Sequence, residues 1–129
     1  LVLFLEDDAL AREEKIEIGR ELRHAYALFP KGANVNFVVP KDETHIFSVT
    51  YERGVEDLTD SCGTGSTASA VAWVLRSAPS CAEVSVEVRN PGGVNFVSLR
   101  FNPSRTSVKA SLKGKTVMVA EGRLFDEFL

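Results

Sequence analysis

The chain has 129 residues, enough for one domain with a core of its own, and its 44% apolar and 26% charged residues are the balance of a folded protein rather than a disordered one. A net charge of −3 argues against a nucleic-acid binder, which needs clustered Lys and Arg to displace counterions. No apolar run approaches the roughly 18 residues of a membrane span; the longest, residues 68–75, is far shorter, and no basic segment typical of a signal peptide opens the chain.

Residues 1–5 read as a strand, and the opening on Leu1 without an initiator Met reads as a piece of something longer. Asp7 or Asp8 is expected to cap a helix over about residues 10–27, where Ile18, Leu22, Ala25 and Tyr26 share one face and charged residues take the rest. Gly19 counts against that helix, and Pro30 and Gly32 are expected to end it. Residues 34–39 and 45–51 read as strands joined by a turn at Pro40-Lys41-Asp42-Glu43, and residues 55–61 as an acidic loop. Cys62-Gly63-Thr64-Gly65-Ser66-Thr67 then leads into a helix with no polar stripe between Ser69 and Arg76, which calls for enclosure by protein. Further strands are expected at residues 82–89, 94–101, 106–112 and 116–119, with the tail at 123–129 closing the sheet. The fold class is therefore α+β, a mixed sheet rolled around a central buried helix, in one domain over residues 1–129.

Two cysteines, Cys62 and Cys81, are too few for a disulfide scaffold and suit free thiols in a cytoplasmic protein, although one bridge between them stays open on sequence alone. Cys62 carries the chemistry. The first turn of a helix has free amide donors and a partial positive charge, which favour a thiolate. Gly63 and Gly65 keep those amides open to a carboxylate or phosphate. A lone cysteine is just as often a small buried hydrophobe, and without a following Lys the turn is not a Walker loop. Taken alone, Glu52 and Arg53 read as an exposed ion pair at a strand end, and Asn34 and Asn36 as turn chemistry before a strand.

Phe29-Pro30-Lys31-Gly32-Ala33-Asn34-Val35-Asn36-Phe37-Val38, Tyr51-Glu52-Arg53-Gly54, Cys62-Gly63-Thr64-Gly65 and Asn90-Pro91-Gly92-Gly93, in that order and spacing, resemble the C-terminal half of diaminopimelate epimerase. The resemblance implies a cofactor-independent, metal-free epimerase of two similar domains that interconverts LL- and meso-diaminopimelate in lysine biosynthesis. One cysteine from each domain faces the α-carbon, one as thiolate base and the other as thiol acid. By the same resemblance Cys62 is the catalytic cysteine, and Gly63 and Thr64 hold the substrate's α-carboxylate. Asn34 and Arg53 grip its distal end, Glu52 lies close to its amino group, and Asn36 keeps its turn role. The expected partners are the amino-acid substrate and an N-terminal domain, on the same protein or a companion chain, with a homodimer as a further assembly and neither nucleic acid nor membrane.

The sequence departs from the family in two places. Its stretch Gly54-Val55-Glu56-Asp57-Leu58-Thr59-Asp60-Ser61 replaces a Gly-Glu-Thr pattern and is one residue longer, so Thr59 is the candidate for the family threonine. A racemase of another amino acid, such as histidine, in the same fold is therefore an alternative. The N-terminal domain with its own cysteine is absent, and Cys81, after Pro79-Ser80 and without a glycine-rich helix start, does not replace it. The isolated chain is accordingly expected to be inactive. Two other classes compete: a cysteine hydrolase with His24 or His45 as base, and a non-catalytic module that holds an anion at the helix end.

Overall fold

The computed structural model describes residues 1–77 and 80–123. The elements run β1 (Val2–Phe4), α1 (Arg12–Arg23), β2 (Val35–Pro40), β3 (His45–Glu52), β4 (Asp57–Thr59), α2 (Gly63–Ser77), β5 (Glu83–Asn90), β6 (Gly93–Phe101) and β7 (Val108–Gly114). They form one mixed, seven-stranded sheet in the order β1-β2-β3-β5-β6-β7. The edge of β3 that faces away from β2 is shared. Its start pairs in parallel with β5 through His45, Ile46 and Phe47, and its end pairs antiparallel with β4 through Thr50, Tyr51 and Glu52. The strand β4 lies where the sequence reads as a loop. Three residues are too short to show alternation, and backbone pairing to β3 creates the strand.

Period-two alternation in β2 and β3 feeds two cores, one on each face of the sheet. Val35, Phe37 and Tyr51 face α1 and take Ile16, Ile18 and Leu22 against them. Val38 and Ile46 point the other way, where they join Ala70 and Val74 of α2 and Val86, Val88, Val97, Leu99 and Phe101 of the second hairpin. Gly19 is what lets α1 sit so close, because a Cβ there would lie 2.6 Å from the ring of Tyr51.

Both ends of α1 differ from the sequence expectation. The N-cap is Ala11, whose amide is taken by the Glu14 carboxylate at 2.8 Å. Asp7 instead accepts from the Ala9 amide, and Asp8 pairs with the buried Lys15 at 2.6 Å. The helix ends at Arg23, before Pro30 and Gly32 come into play, so Ala25 and Tyr26 lie beyond it, with Tyr26 exposed.

α2 is covered on one side. Its buried face is Gly65, Ser66, Ser69, Ala70 and Val74, while Ala68 and Leu75 remain exposed on the other side. The serines, not the apolar residues alone, point into the protein, and Ser69 meets Ser48 of β3 at 3.3 Å. Trp73 ties the helix to the β2–β3 turn by donating to the carbonyls of Asp42 and Glu43. The expected strand at residues 116–119 does not form: Val117, Met118 and Val119 are 70–90% exposed and pair with nothing among the described residues. The chain leaves the sheet at Gly114. The tail expected to close the sheet falls mostly outside the described residues.

Candidate functional site

Cys62 sits immediately before the first residue of α2, and its carbonyl accepts the Ser66 amide at 2.8 Å, closing the first helical turn. Its Sγ accepts from the Gly65 amide at 3.4 Å and from Asn34 Nδ2 at 3.8 Å, and lies 3.4 Å from the Thr64 hydroxyl. The residue is 5% exposed, and both it and Cys81 are free. The amides of Gly63 and Thr64, at the first two helical positions, have no intrahelical acceptor to turn to.

Gly65 sets how deeply this turn can seat. A Cβ on it would collide with Asn36 Oδ1 and lie 2.7 Å from Thr50 Oγ1. Those two atoms are bonded to each other, and Asn36 also donates to the Leu1 carbonyl at 2.8 Å. Asn36 therefore lies within β2, 2% exposed, as part of a buried polar network; the expected turn role is corrected.

A hollow of about 300 Å³ opens beside the turn, lined by Asn34, Asn36, Arg53, Thr64, Gly65 and Ala68 among others. It brings together three of the residues expected to bind substrate, Asn34, Arg53 and Thr64, and two of them touch the Cys62 sulfur. Asn34 braces the arrangement, since its Oδ1 accepts the Arg53 amide at 2.9 Å. The Arg53 guanidinium bonds the Lys31 carbonyl at 3.0 Å, a use of one of its five donors. Glu52 points elsewhere and accepts from the Thr59 hydroxyl at 3.0 Å, so the expected Glu52–Arg53 ion pair does not form among the described residues. Gly63 faces the other flank, where Ser61, Asn95 and Lys113 help to line a second hollow of about 590 Å³.

The Asn90-Pro91-Gly92-Gly93 turn acquires a structural purpose that its sequence does not show. The Gly92 amide donates to the Asp60 carbonyl at 2.7 Å, two residues before Cys62, and Asn90 Oδ1 accepts from the buried Ser66 hydroxyl at 3.3 Å. A Cβ on Gly92 would come within 2.9 Å of Asp60. Sequence reasoning missed the roles of Ser66 and Asn95, because nothing in the sequence brings β6 against the first turn of α2.

Neither histidine serves the sulfur. His24 Nδ1 engages the Arg20 carbonyl, and His45 Nδ1 engages Asp42 at 2.9 Å with Glu87 3.7 Å from its other nitrogen. The Asp42 carboxyl is held below its ordinary range, chiefly by the Thr44 amide and then by His45. No group of His, Cys, Asp and Glu suited to a metal ion occurs among the described residues, and no helix there is long and apolar enough to cross a membrane.

Comparison with known proteins places this geometry. The family model described as diaminopimelate epimerase matches residues 1–119. The diaminopimelate epimerase of Aquifex aeolicus is 41% identical over 114 residues, covering 88% of this chain and 39% of the relative. That of Methanothrix thermoacetophila is 39% identical over 128 residues, covering 99% and 40%. The chain thus spans about two fifths of the length of these relatives. Among solved structures, a protein described as a predicted epimerase from Pseudomonas aeruginosa superposes with a TM-score of 0.64 at 13% identity, over 86% of this chain and 36% of that one. A phenazine biosynthesis protein of the PhzF family from Bacillus anthracis gives 0.54 at 17% identity, over 80% and 31%. Both share the fold.

Proposed function

The chain belongs to the diaminopimelate epimerase family, and from that premise we propose that it supplies one lobe of a cofactor-independent amino-acid epimerase, with Cys62 as one of two acid/base thiols. The observation that carries this reading is the Cys62 sulfur under the Gly65 amide at a helix start, next to Asn34 and Thr64, which line the same hollow as Arg53. In one direction the Cys62 thiolate takes the α-proton of the substrate, and a thiol from the other lobe returns one to the opposite face. The reverse direction exchanges the two roles. Charge released at the α-carbon flows into the adjacent carboxylate, and first-turn amides without an intrahelical acceptor can hold it more strongly as it grows. Arg53 and Asn34 line the hollow and offer polar groups to a polar distal end, for which diaminopimelate is the first candidate. A guanidinium binds a carboxylate through two parallel hydrogen bonds. With one sulfur of the pair, the chain alone turns over no substrate.

The test is exchange of the substrate α-hydrogen for deuterium from solvent, in the full-length protein that contains this chain. Cys62→Ser is expected to slow exchange by about 10²–10⁴-fold, the range of general acid–base catalysis, with the fold unchanged. Exchange at the unmodified rate removes the thiol from the reaction.

A further inference from the structure

Outside the hollow, the turn that carries Cys62 is held from its far flank by a side chain no family expectation assigns. Asn95 of β6 is 8% exposed and faces α2, two residues from Val97 in the core. Its Nδ2 donates to two hydroxyls, Ser61 Oγ at 3.2 Å and Ser66 Oγ at 3.0 Å. Ser61 directly precedes Cys62, and Ser66 is the residue whose amide closes the first turn on the Cys62 carbonyl. Both hydrogens of one amide group thus bridge the chain on either side of the sulfur. The Ser66 hydroxyl passes its own hydrogen to Asn90 Oδ1, and Asn90 Nδ2 donates to the Val88 carbonyl at 3.1 Å. The run Asn95 to Ser66 to Asn90 is directional, with each buried donor used, which is the condition under which a buried polar network fixes one arrangement. The strand β7 makes room for it: a Cβ on Gly114 would stand 2.8 Å from Asn95 Oδ1.

We propose that Asn95 is a positioning residue for Cys62, clamping the strand-to-helix turn so that the sulfur stays under the Gly65 amide. This rests on the reading of Cys62 as the reacting thiol. A core leucine or valine at position 95 would fill space but would leave Ser66 and Ser61 without their donor. The charged groups flanking the turn are Arg53 on the hollow, Asp60 before Cys62, Lys113 on β7 and Lys115 just beyond it; the substitutions below leave all four in place.

The measurement is the rate of Cys62 alkylation by iodoacetamide against pH, read from the mass of the Cys62 peptide, on the full-length protein that contains this chain. Asn95→Ala is expected to move the midpoint of that curve upward by about half to one pH unit, a part of what one hydrogen bond to a charged group contributes. Ser61→Ala, at an exposed position and so safe for folding, shifts it the same way by less. Val97→Ala, which removes packing from the same strand face, lowers the unfolding temperature and leaves the midpoint in place. Superimposed curves for Asn95→Ala, Ser61→Ala and the parent overturn the proposal, as does an equal shift in Val97→Ala. Alkylation reads the thiol alone, so it is independent of the deuterium-exchange test, and either result can fail without the other.

Discussion

The two helices lie on opposite faces of one sheet and are attached by different means. α1 packs through apolar side chains and the tight Gly19–Tyr51 contact, and its ends are tied to the start of β4 by Arg12–Asp57 at 3.0 Å and to the turn before it by Arg23–Glu56 at 3.1 Å. The first turn of α2 is attached instead by hydrogen bonds of Ser66 with Asn90 and Asn95, with Gly65 seated against the Asn36–Thr50 pair. Apolar contacts are non-directional and tolerate small shifts, whereas hydrogen bonds at fixed angles do not. The α2 face, which also carries the larger apolar cluster, adds directional bonds that fix where an atom stands.

The largest test of that contrast removes mass from the α1 face. Phe37 is 1% exposed, and Phe37→Ala is expected to cost about 3–5 kcal/mol of unfolding free energy in urea. The pH dependence of Cys62 alkylation should stay unchanged wherever the variant is folded. A shift there would mean that the two faces are not separable.

A smaller change belongs to the α2 face. Thr50→Val keeps the volume but deprives Asn36 Oδ1 of its donor at 2.7 Å, and is expected to cost about 1–3 kcal/mol. Unlike Phe37→Ala it should alter the alkylation curve, because Gly65 seats on this pair. An unaltered curve with the stability lost would place Thr50 among ordinary core residues.

The smallest effect is acid sensitivity of the α1 attachments. Glu56 is held below the ordinary carboxylate range first by the Gly54 amide and then by Arg23, and Asp57 by the Leu58 amide and then by Arg12. A carboxyl whose folded pKa is depressed adds stability above its unfolded value, near about 4, and that contribution disappears as pH falls through the folded value. The urea midpoint should therefore drop slightly between about pH 5 and 3, and drop less in the Glu56→Gln, Asp57→Asn double variant. An identical drop in both proteins would assign the sensitivity to other carboxyls.

The legible parts of the molecule are those where one pattern dominates. Residues 34–39 and 45–51 alternate into two cores and form β2 and β3, and the glycine-rich run after Cys62 marks where α2 begins. The margins of α1 were not legible, because a glutamate reaching back to the Ala11 amide replaces the aspartate cap that the sequence advertises. Residues 116–119 have strand composition but no pairing edge among the described residues, and composition carries no information about partners. At the site, Asn34, Arg53 and Thr64 were found through motif order, and the structure sets them around one hollow. Asn36 was misjudged and Asn95 unseen for one reason. A polar residue within an alternating strand looks like an outward position, and only its place opposite a serine or threonine shows that it points inward.

The parallel junction between β3 and β5 is three residue pairs long, so the sheet is in effect two wings, residues 1–59 and 83–114, meeting at a narrow seam. α2 is the bolt across it, bonded to Ser48 on one wing and to Asn90 and Asn95 on the other. The sulfur therefore rides on the fastener rather than on either plate, and its setting is complete only when both wings have closed on the same helix.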